Sequence, residues 1–211
     1  MSEINYERLE QTKHRLGKKG LFGAEGDSLS LRVPGTNVFI LTAAETETMR
    51  TVAAPDARSD TERLHGAIYR TRPDTGGVVV GETGWTTPLV AIGSSLPSLF
   101  DEQARHLGEV CPRVGVDQWS TLEEAIRPGS NALTFGRQRV VLGPTPNRVV
   151  LNADLFEKCA KAFVIARSAT GKVRPLPTWA LRTWVRRLRA DQAEAAKAQR
   201  MGRIPEGMDA Y

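Results

Sequence analysis

The stretch ERLHGAIYRTRPDTGGVVVGETGW, Glu62 to Trp85, holds a helix, a break, a strand and a glycine-bearing turn in close succession. Leu64, Ala67 and Ile68 recur at helical spacing. Ser59-Asp60-Thr61-Glu62, just before them, has the form of a capping box. The helix must stop before Pro73, because the residue preceding a proline is pushed out of the helical region. Val78, Val79 and Val80 are the residues of a buried strand. Gly81-Glu82-Thr83-Gly84 then ends that strand in a loop. A strand that runs out into a glycine-bearing loop is a common seat of binding or catalysis, so Glu82 is the first residue to consider for chemistry.

Elements of both kinds flank this unit. Residues from Tyr6 to Gly20 read as a helix with Leu9 and Leu16 on one face. Leu29–Val33 alternates apolar and polar residues, Val38–Thr42 forms a second strand, and Pro34-Gly35 turns between them. The segment 43–60 gives no clear period. Thr86–Ile92 is a further apolar stretch, SLFDEQARHLG (Ser98–Gly108) is expected to be helical, and TLEEAIR (Thr121–Arg127) is a short helix ended by Pro128-Gly129. NALTFGRQRVVLG (Asn131–Gly143) reads as a strand pair, or one bent strand, with Gly136 at the bend. The strongest helical pattern follows Asn152, the expected N-cap, with Leu155, Cys159, Ala162, Phe163 and Ala166 in an apolar stripe. Pro175 and Pro177 form an expected hinge before a last helix, Thr178–Arg200. This mixture predicts one α/β domain with a mostly antiparallel sheet.

Composition narrows the function classes. The chain has 211 residues, 40% hydrophobic and 25% charged, which is ordinary for a packed domain. No run approaches the roughly 20 apolar residues of a membrane span, and the charged N-terminal stretch lacks a signal-peptide core, so a cytoplasmic location without membrane contact is expected. The two cysteines, Cys111 and Cys159, form no C-x-x-C motif and are expected to be buried thiols. The net charge of +5 is concentrated in the last helix, LRTWVRRLRADQAEAAKAQRMGR. A basic terminal helix is more often a solvated or oligomer-facing surface than a reader of nucleic acid.

Four segments in order resemble the class II aldolase/adducin family: KKGLFGAEGDSLSLRV, VFILT, ERLHGAIYRTRPDTGGVVV and GRQRVVLGPTPNRVVLNADLFEKCAKAFVIAR. HGAIYRTRPD is the most specific of them. The resemblance spans Tyr6 to Arg167. It implies a three-layer α/β/α domain around a central, mainly antiparallel sheet, occupying residues 1–177, with residues 178–211 as a C-terminal basic helix and tail. It also implies a homo-oligomer, a tetramer in the family's enzymes, with a zinc site between subunits.

Position by position, the resemblance places the family's zinc-binding His-x-His pair on Val80 and Glu82. The third histidine falls on Gln138 and the glycine after it on Arg139. The catalytic carboxylate falls on Thr61, beside Glu62, and the substrate-binding Asn falls on Asp27. The family's tyrosine proton donor falls near Asp101. The chain's 3 histidines, His14, His65 and His106, occupy none of these positions. Catalytic zinc takes three protein ligands, and Val80 has no donor atom, so neither a metal nor another cofactor is expected. The acids Glu25 and Asp27 disfavour a phosphate in the glycine loop by like-charge repulsion, and Asp27 reads as a cap of its own turn.

The remaining candidates are Arg137 and Arg139, which share a strand face opposite Gln138 and could bind a carboxylate or phosphate. Arg32 is expected near them. Against this stands the plainer reading of solvent-facing residues, or of partners for Glu82 and Asp27. His65 is a possible general base, or a hydrogen-bonded helix residue. Trp85 could line a pocket or cover the sheet edge. Tyr211 could reach a neighbouring site.

Two functions follow. The first is an aldolase/adducin-like protein without zinc-dependent lyase activity, serving as a small-ligand-binding or oligomerising subunit. The second is a metal-independent lyase acting on a small carboxylated or hydroxylated metabolite, with Glu82, Glu62 or His65 as acid and base and Arg137 or Arg139 as anchor.

Overall fold

Val78, Val79 and Val80 form the strand that organises the molecule. In the computed structural model, which describes residues 2–46, 48–206 and 208, this strand β4 (Gly77–Gly81) is buried along its whole length. Tyr211 lies outside the described residues. Preceding β4 are α1 (Ser2–Lys18), β1 (Ser28–Arg32), β2 (Val38–Ala43), β3 (Met49–Ala53) and α2 (Asp60–Thr71). After it come α3 (Thr86–Ile92), the two-residue β5 (Leu96–Pro97), α4 (Asp101–His106), the short β6 (Val110–Cys111) and β7 (Arg113–Val114), and α5 (Trp119–Ala125). The chain continues through β8 (Ala132–Phe135), β9 (Gln138–Gly143), α6 (Pro146–Thr170) and α7 (Thr178–Arg200).

Among the described residues, seven strands make one sheet in the order β3-β2-β1-β4-β9-β8-β7. All pairings are antiparallel except β7 with β8. The period-two alternation of strand side chains divides the core. Leu29, Leu31, Val79 and Val141 face α1, α3 and α6, where Leu9, Leu16, Val149, Phe156 and Phe163 cover them. Val78, Val80, Val140 and Leu142 face α2 and α5, against Leu64, Ile68, Leu122 and Ile126. The architecture is therefore the three-layer α/β/α sandwich with a mainly antiparallel sheet.

Local chemistry explains most element ends. Ser59 accepts from the Glu62 N–H while the Glu62 carboxylate accepts from the N–H groups of Arg58 at 2.8 Å and Ser59 at 3.3 Å. This is the capping box read from sequence, worth about 1 kcal/mol. The β8–β9 hairpin turns at Gly136, whose φ of 59° suits a residue without Cβ. Arg72 and Asp74 around Pro73 form a clamp. The Arg72 guanidinium donates to both Asp74 oxygens at 2.8 and 2.6 Å, to Ile126 O at 3.1 Å, to Ser130 O and to Asn131 Oδ1 at 2.7 Å. The R-P-D sequence thus ties the end of α2 to the loop before β8.

Several expectations are corrected. The long helix α6 begins at Pro146, not at Asn152: the Thr145 hydroxyl accepts from the Arg148 N–H at 3.1 Å and Pro146 fills the first turn. Asn152 sits inside the helix and donates to Leu142 O at 2.7 Å. The apolar stretch Thr86–Ile92 is a helix, and the segment without clear period supplies β3. Helix α7 packs on α4 of the same chain: Leu181, Val185 and Leu188 are buried, and Gln192 accepts from the Gly129 N–H at 2.8 Å. No helix among the described residues is long and apolar enough to cross a membrane. Cys111 and Cys159 are both buried free thiols.

Candidate functional site

Antiparallel register brings the end of β4, the start of β9 and the glycine loop before β1 to one end of the sheet. Gly81 pairs with Arg139, and Ser28 pairs with Val80. Asp27 is 2% exposed and joins these elements. Its Oδ2 accepts from the N–H groups of Gly23 at 2.9 Å and Ala24 at 3.0 Å, and its Oδ1 from that of Glu82 at 3.1 Å. Asp27 therefore caps its own loop. Burial raises its pKa from the usual carboxylate range, and the three N–H donors and Arg139 oppose that shift.

Arg137 and Arg139 do not share an environment. The expectation of one common face fails because Arg137 lies in the turn before β9, with its side chain 75% exposed and 3.3 Å from Glu82. Arg139 is fully buried on the α6 side. It donates to Thr83 Oγ1 at 3.1 Å and to Leu21 O, and lies 4.0 Å from Glu157. Burial lowers its pKa to about 10, against the pull of Glu157 and Asp27, so it stays a cation at neutral pH. Arg32 is not near either residue. It sits at the other end of β1, beside Gly76.

Glu157 of α6 is a residue that sequence reasoning missed. It accepts from the Trp85 N–H at 3.1 Å and from the hydroxyls of Thr86 at 3.2 Å and Thr83. The turn Glu82-Thr83-Gly84-Trp85 thus wraps a carboxylate supplied by the chain itself and opens α3. Trp85 belongs to this side. It packs half-buried against the α6 core, with Lys161 Nζ 5.8 Å from its ring centroid.

On the other face, between the sheet and α2, lies a cavity of about 220 Å³. Thr61, Val80 and Gln138 line it together with Ser28, Leu64, Trp119 and Phe135. Three positions that the resemblance aligned with catalytic or metal-binding residues therefore converge here. Gln138 donates from Nε2 to Gly26 O at 3.0 Å, which leaves it holding the glycine loop. Trp119 and Phe135 meet edge to face at 5.2 Å, and Arg63 stacks over Trp119 at 4.9 Å while paired with Asp60 at 3.2 Å. Trp119 and Phe135 carried no motif; their distance in sequence from β4 hid them.

His65 and Glu62 are enclosed by their own helix and its neighbours. The His65 ring is fully buried, with Nε2 2.9 Å from Ser28 Oγ and Nδ1 2.6 Å from Ser30 Oγ. Ser30 also meets Tyr69 OH at 2.8 Å. Burial lowers the His65 pKa to about 3, so the ring is neutral near pH 7. Glu62 is occupied by its capping bonds and by Arg50 at 3.2 Å, and those bonds hold its pKa below the usual range. Neither joins Glu82, whose carboxylate pairs with Arg137.

The residues present do not fit a zinc ion of the kind the resemblance implies. Valine offers no donor, glutamine is a neutral oxygen donor where zinc takes histidine, cysteine or carboxylate, and Glu82, the one carboxylate at these positions, is paired with Arg137 at 3.3 Å. Among the described residues no group of three His, Cys, Asp or Glu is placed to hold a metal.

No known family profile and no curated protein matches the sequence. Solved structures do match the fold. An L-fuculose 1-phosphate aldolase superposes with a TM-score of 0.77 at 15% identity, over 88% of this chain and 96% of its own. The L-fuculose-1-phosphate aldolase from Thermus thermophilus gives 0.64 at 20% identity, over 82% and 100%. An aldolase II superfamily protein from Pseudomonas syringae gives 0.65 at 13% identity, over 97% and 96%.

Proposed function

We propose, for this chain with the class II aldolase fold, a protein that has no zinc-dependent lyase activity and that binds a small molecule in the cavity beneath α2. One observation carries the reading. Thr61, Val80 and Gln138 converge on one cavity at the sheet end, yet together they supply no strong metal donor. What remains is an aromatic-walled space with a few polar groups and one carboxylate, Asp60, which is paired with Arg63, and aromatic walls with a few polar groups suit a small ligand. Homo-oligomerisation belongs to the same proposal. Phe100 and Trp179 are exposed large apolar side chains at neighbouring segments, joined by the Leu176 N–H to Ser98 O bond at 2.9 Å, and such exposure suits a subunit contact.

The test is metal analysis of the purified protein combined with an aldol-cleavage assay on sugar phosphates. The expected result is substoichiometric zinc and no cleavage above background with zinc added. Stoichiometric zinc accompanied by cleavage overturns the proposal.

A second reading, metal-independent lyase chemistry, has one observation of its own. Ser28 lines the cavity and is hydrogen-bonded to His65, which places a nitrogen base one hydroxyl away from a bound ligand. Turnover of a carboxylated or hydroxylated metabolite that disappears in both Ser28→Ala and His65→Asn would favour this reading over the first.

A further inference from the structure

At the opposite end of the sheet, where β1 finishes and β4 begins, a second cleft of about 390 Å³ opens between α2, α7 and the β1–β2 turn. Arg32, Arg70 and Arg200 line it, with Asn37, Tyr69 and Gln199, and among the described residues no Asp or Glu does. Among the described residues, none of these three arginines is in a salt bridge.

Arg32 is 9% exposed, and every acceptor it reaches is a neutral carbonyl: Thr75 O at 2.8 Å, Tyr69 O at 2.7 Å, Arg72 O at 3.0 Å and Thr36 O at 3.4 Å. Asp74 is the acid whose field reaches Arg32, and its two oxygens are already taken by Arg72. The carbonyls at the end of α2 and the Tyr69 ring, 4.8 Å from the Arg32 guanidinium, offset only part of its charge. Arg70 and Arg200 each make one carbonyl bond, to Ala54 O at 2.9 Å and Ala196 O at 3.3 Å, and both are exposed. Each guanidinium therefore keeps N–H groups without an acceptor among the described residues, the Nε and Nη2 groups of Arg70 and both Nη groups of Arg200.

We infer that this cleft binds a small multivalent anion bearing carboxylate or phosphate groups. Guanidinium forks match the paired oxygens of both, and the volume lies in the range of small-molecule sites. An anion here neutralises the uncompensated charge. It also bridges α2 through Arg70, α7 through Arg200 and the sheet through Arg32, so it fastens the last helix to the sheet. The site stands independently of the cavity beneath α2, at the far end of the same strands.

The experiment is calorimetric titration of citrate and, separately, of inorganic phosphate into the full-length protein at constant ionic strength, which removes general screening. Saturable binding of at least one anion is expected, near one per chain. It should weaken at least tenfold in R70Q/R200Q and stay unchanged in R137Q, whose arginine lies at the other sheet end. Citrate alone binding identifies a polycarboxylate ligand; phosphate alone identifies a phosphorylated one. R200Q, at an exposed helix end, replaces the double variant if the latter does not fold. Absence of saturable binding by the parent protein, or equal affinity in the arginine variants, overturns the inference.

Discussion

The Asp27 carboxylate accepts a hydrogen bond from the backbone N–H of Glu82 at 3.1 Å, across 55 residues of chain. Gly81 makes that approach possible, since a Cβ there would lie 2.1 Å from Asp27 Oδ1. Gly81→Ala should therefore lower stability by about 1–3 kcal/mol through overpacking. Asp27→Ala should cost about 1–3 kcal/mol, because three backbone N–H groups lose a charged acceptor. Urea unfolding of both variants checks this, and two unchanged midpoints would show that the strand end is held by something else.

Two histidines, His65 buried and His106 half-buried, make stability depend on pH. The folded pKa of His65 is about 3 and that of His106 about 4, both below the usual 6.5 and both chiefly because burial disfavours the charged ring. A depressed folded pKa contributes stability above the unfolded value, and that contribution is lost as pH falls toward the folded one. Stability should thus decline from about pH 6.5 downward, by at most about 1.4 kcal/mol per pH unit for each histidine. Glu62 and Asp154, whose folded pKa values are also lowered, add to the loss only near and below the carboxylate range. Urea midpoints at pH 7, 6 and 5 read the slope, and His65→Gln should make it shallower whatever it does to the midpoint itself.

The Arg72–Asp74 pair should be the costliest ion pair to break. Its side chains are 0% and 5% exposed, and Arg72 also holds three oxygens of the Ile126–Asn131 loop. Asp74→Ala leaves a buried guanidinium without its counter-ion, a loss of about 3–5 kcal/mol. Thermal unfolding with a matched Arg72→Met/Asp74→Leu double variant separates the two effects. The double variant should recover part of that loss.

The Glu82–Arg137 pair should matter little to stability. Its side chains are 38% and 75% exposed, so solvent screening limits it to about 1 kcal/mol at most. Glu82→Gln and Arg137→Gln should each unfold within that margin of the parent protein in chemical denaturation. A larger change would mean that the pair organises the sheet end.

Oligomeric state gives a further check. Light scattering of the parent protein should return a mass above that of one chain, and Trp179→Ser should shift it downward if the exposed ring is in a subunit contact. A monomeric parent protein would remove the oligomer from the proposal.

Much of the fold was legible because it rests on local rules. The capping box at Ser59–Glu62, the stop before Pro73, the hairpin at Gly136 and the two leucines of α1 are each decided within a few residues. The start of α6 was misread because Asn152 and Thr145 are both good caps, and only the Thr145 hydroxyl reaches a free N–H. The candidate cavity was half legible. Thr61, Val80 and Gln138 could be aligned from the order of four segments, but Trp119 and Phe135 enter from elements with no motif.

The sequence by itself determined most of the longer helices and strands, though not β3, α3 or the short β5 to β7, since hydrophobic period and turn chemistry act over short range. It also determined that no histidine stands at the end of β4. Only the tertiary structure decided what each charge does. Antiparallel pairing carried Arg32 to the opposite sheet end from Arg139, and side-chain alternation and the turn at Gly136 sent Arg139 inward while Arg137 stayed in water. Those outcomes depend on register and on distant partners such as Glu157 and Asp27, and neither is encoded near the arginines themselves.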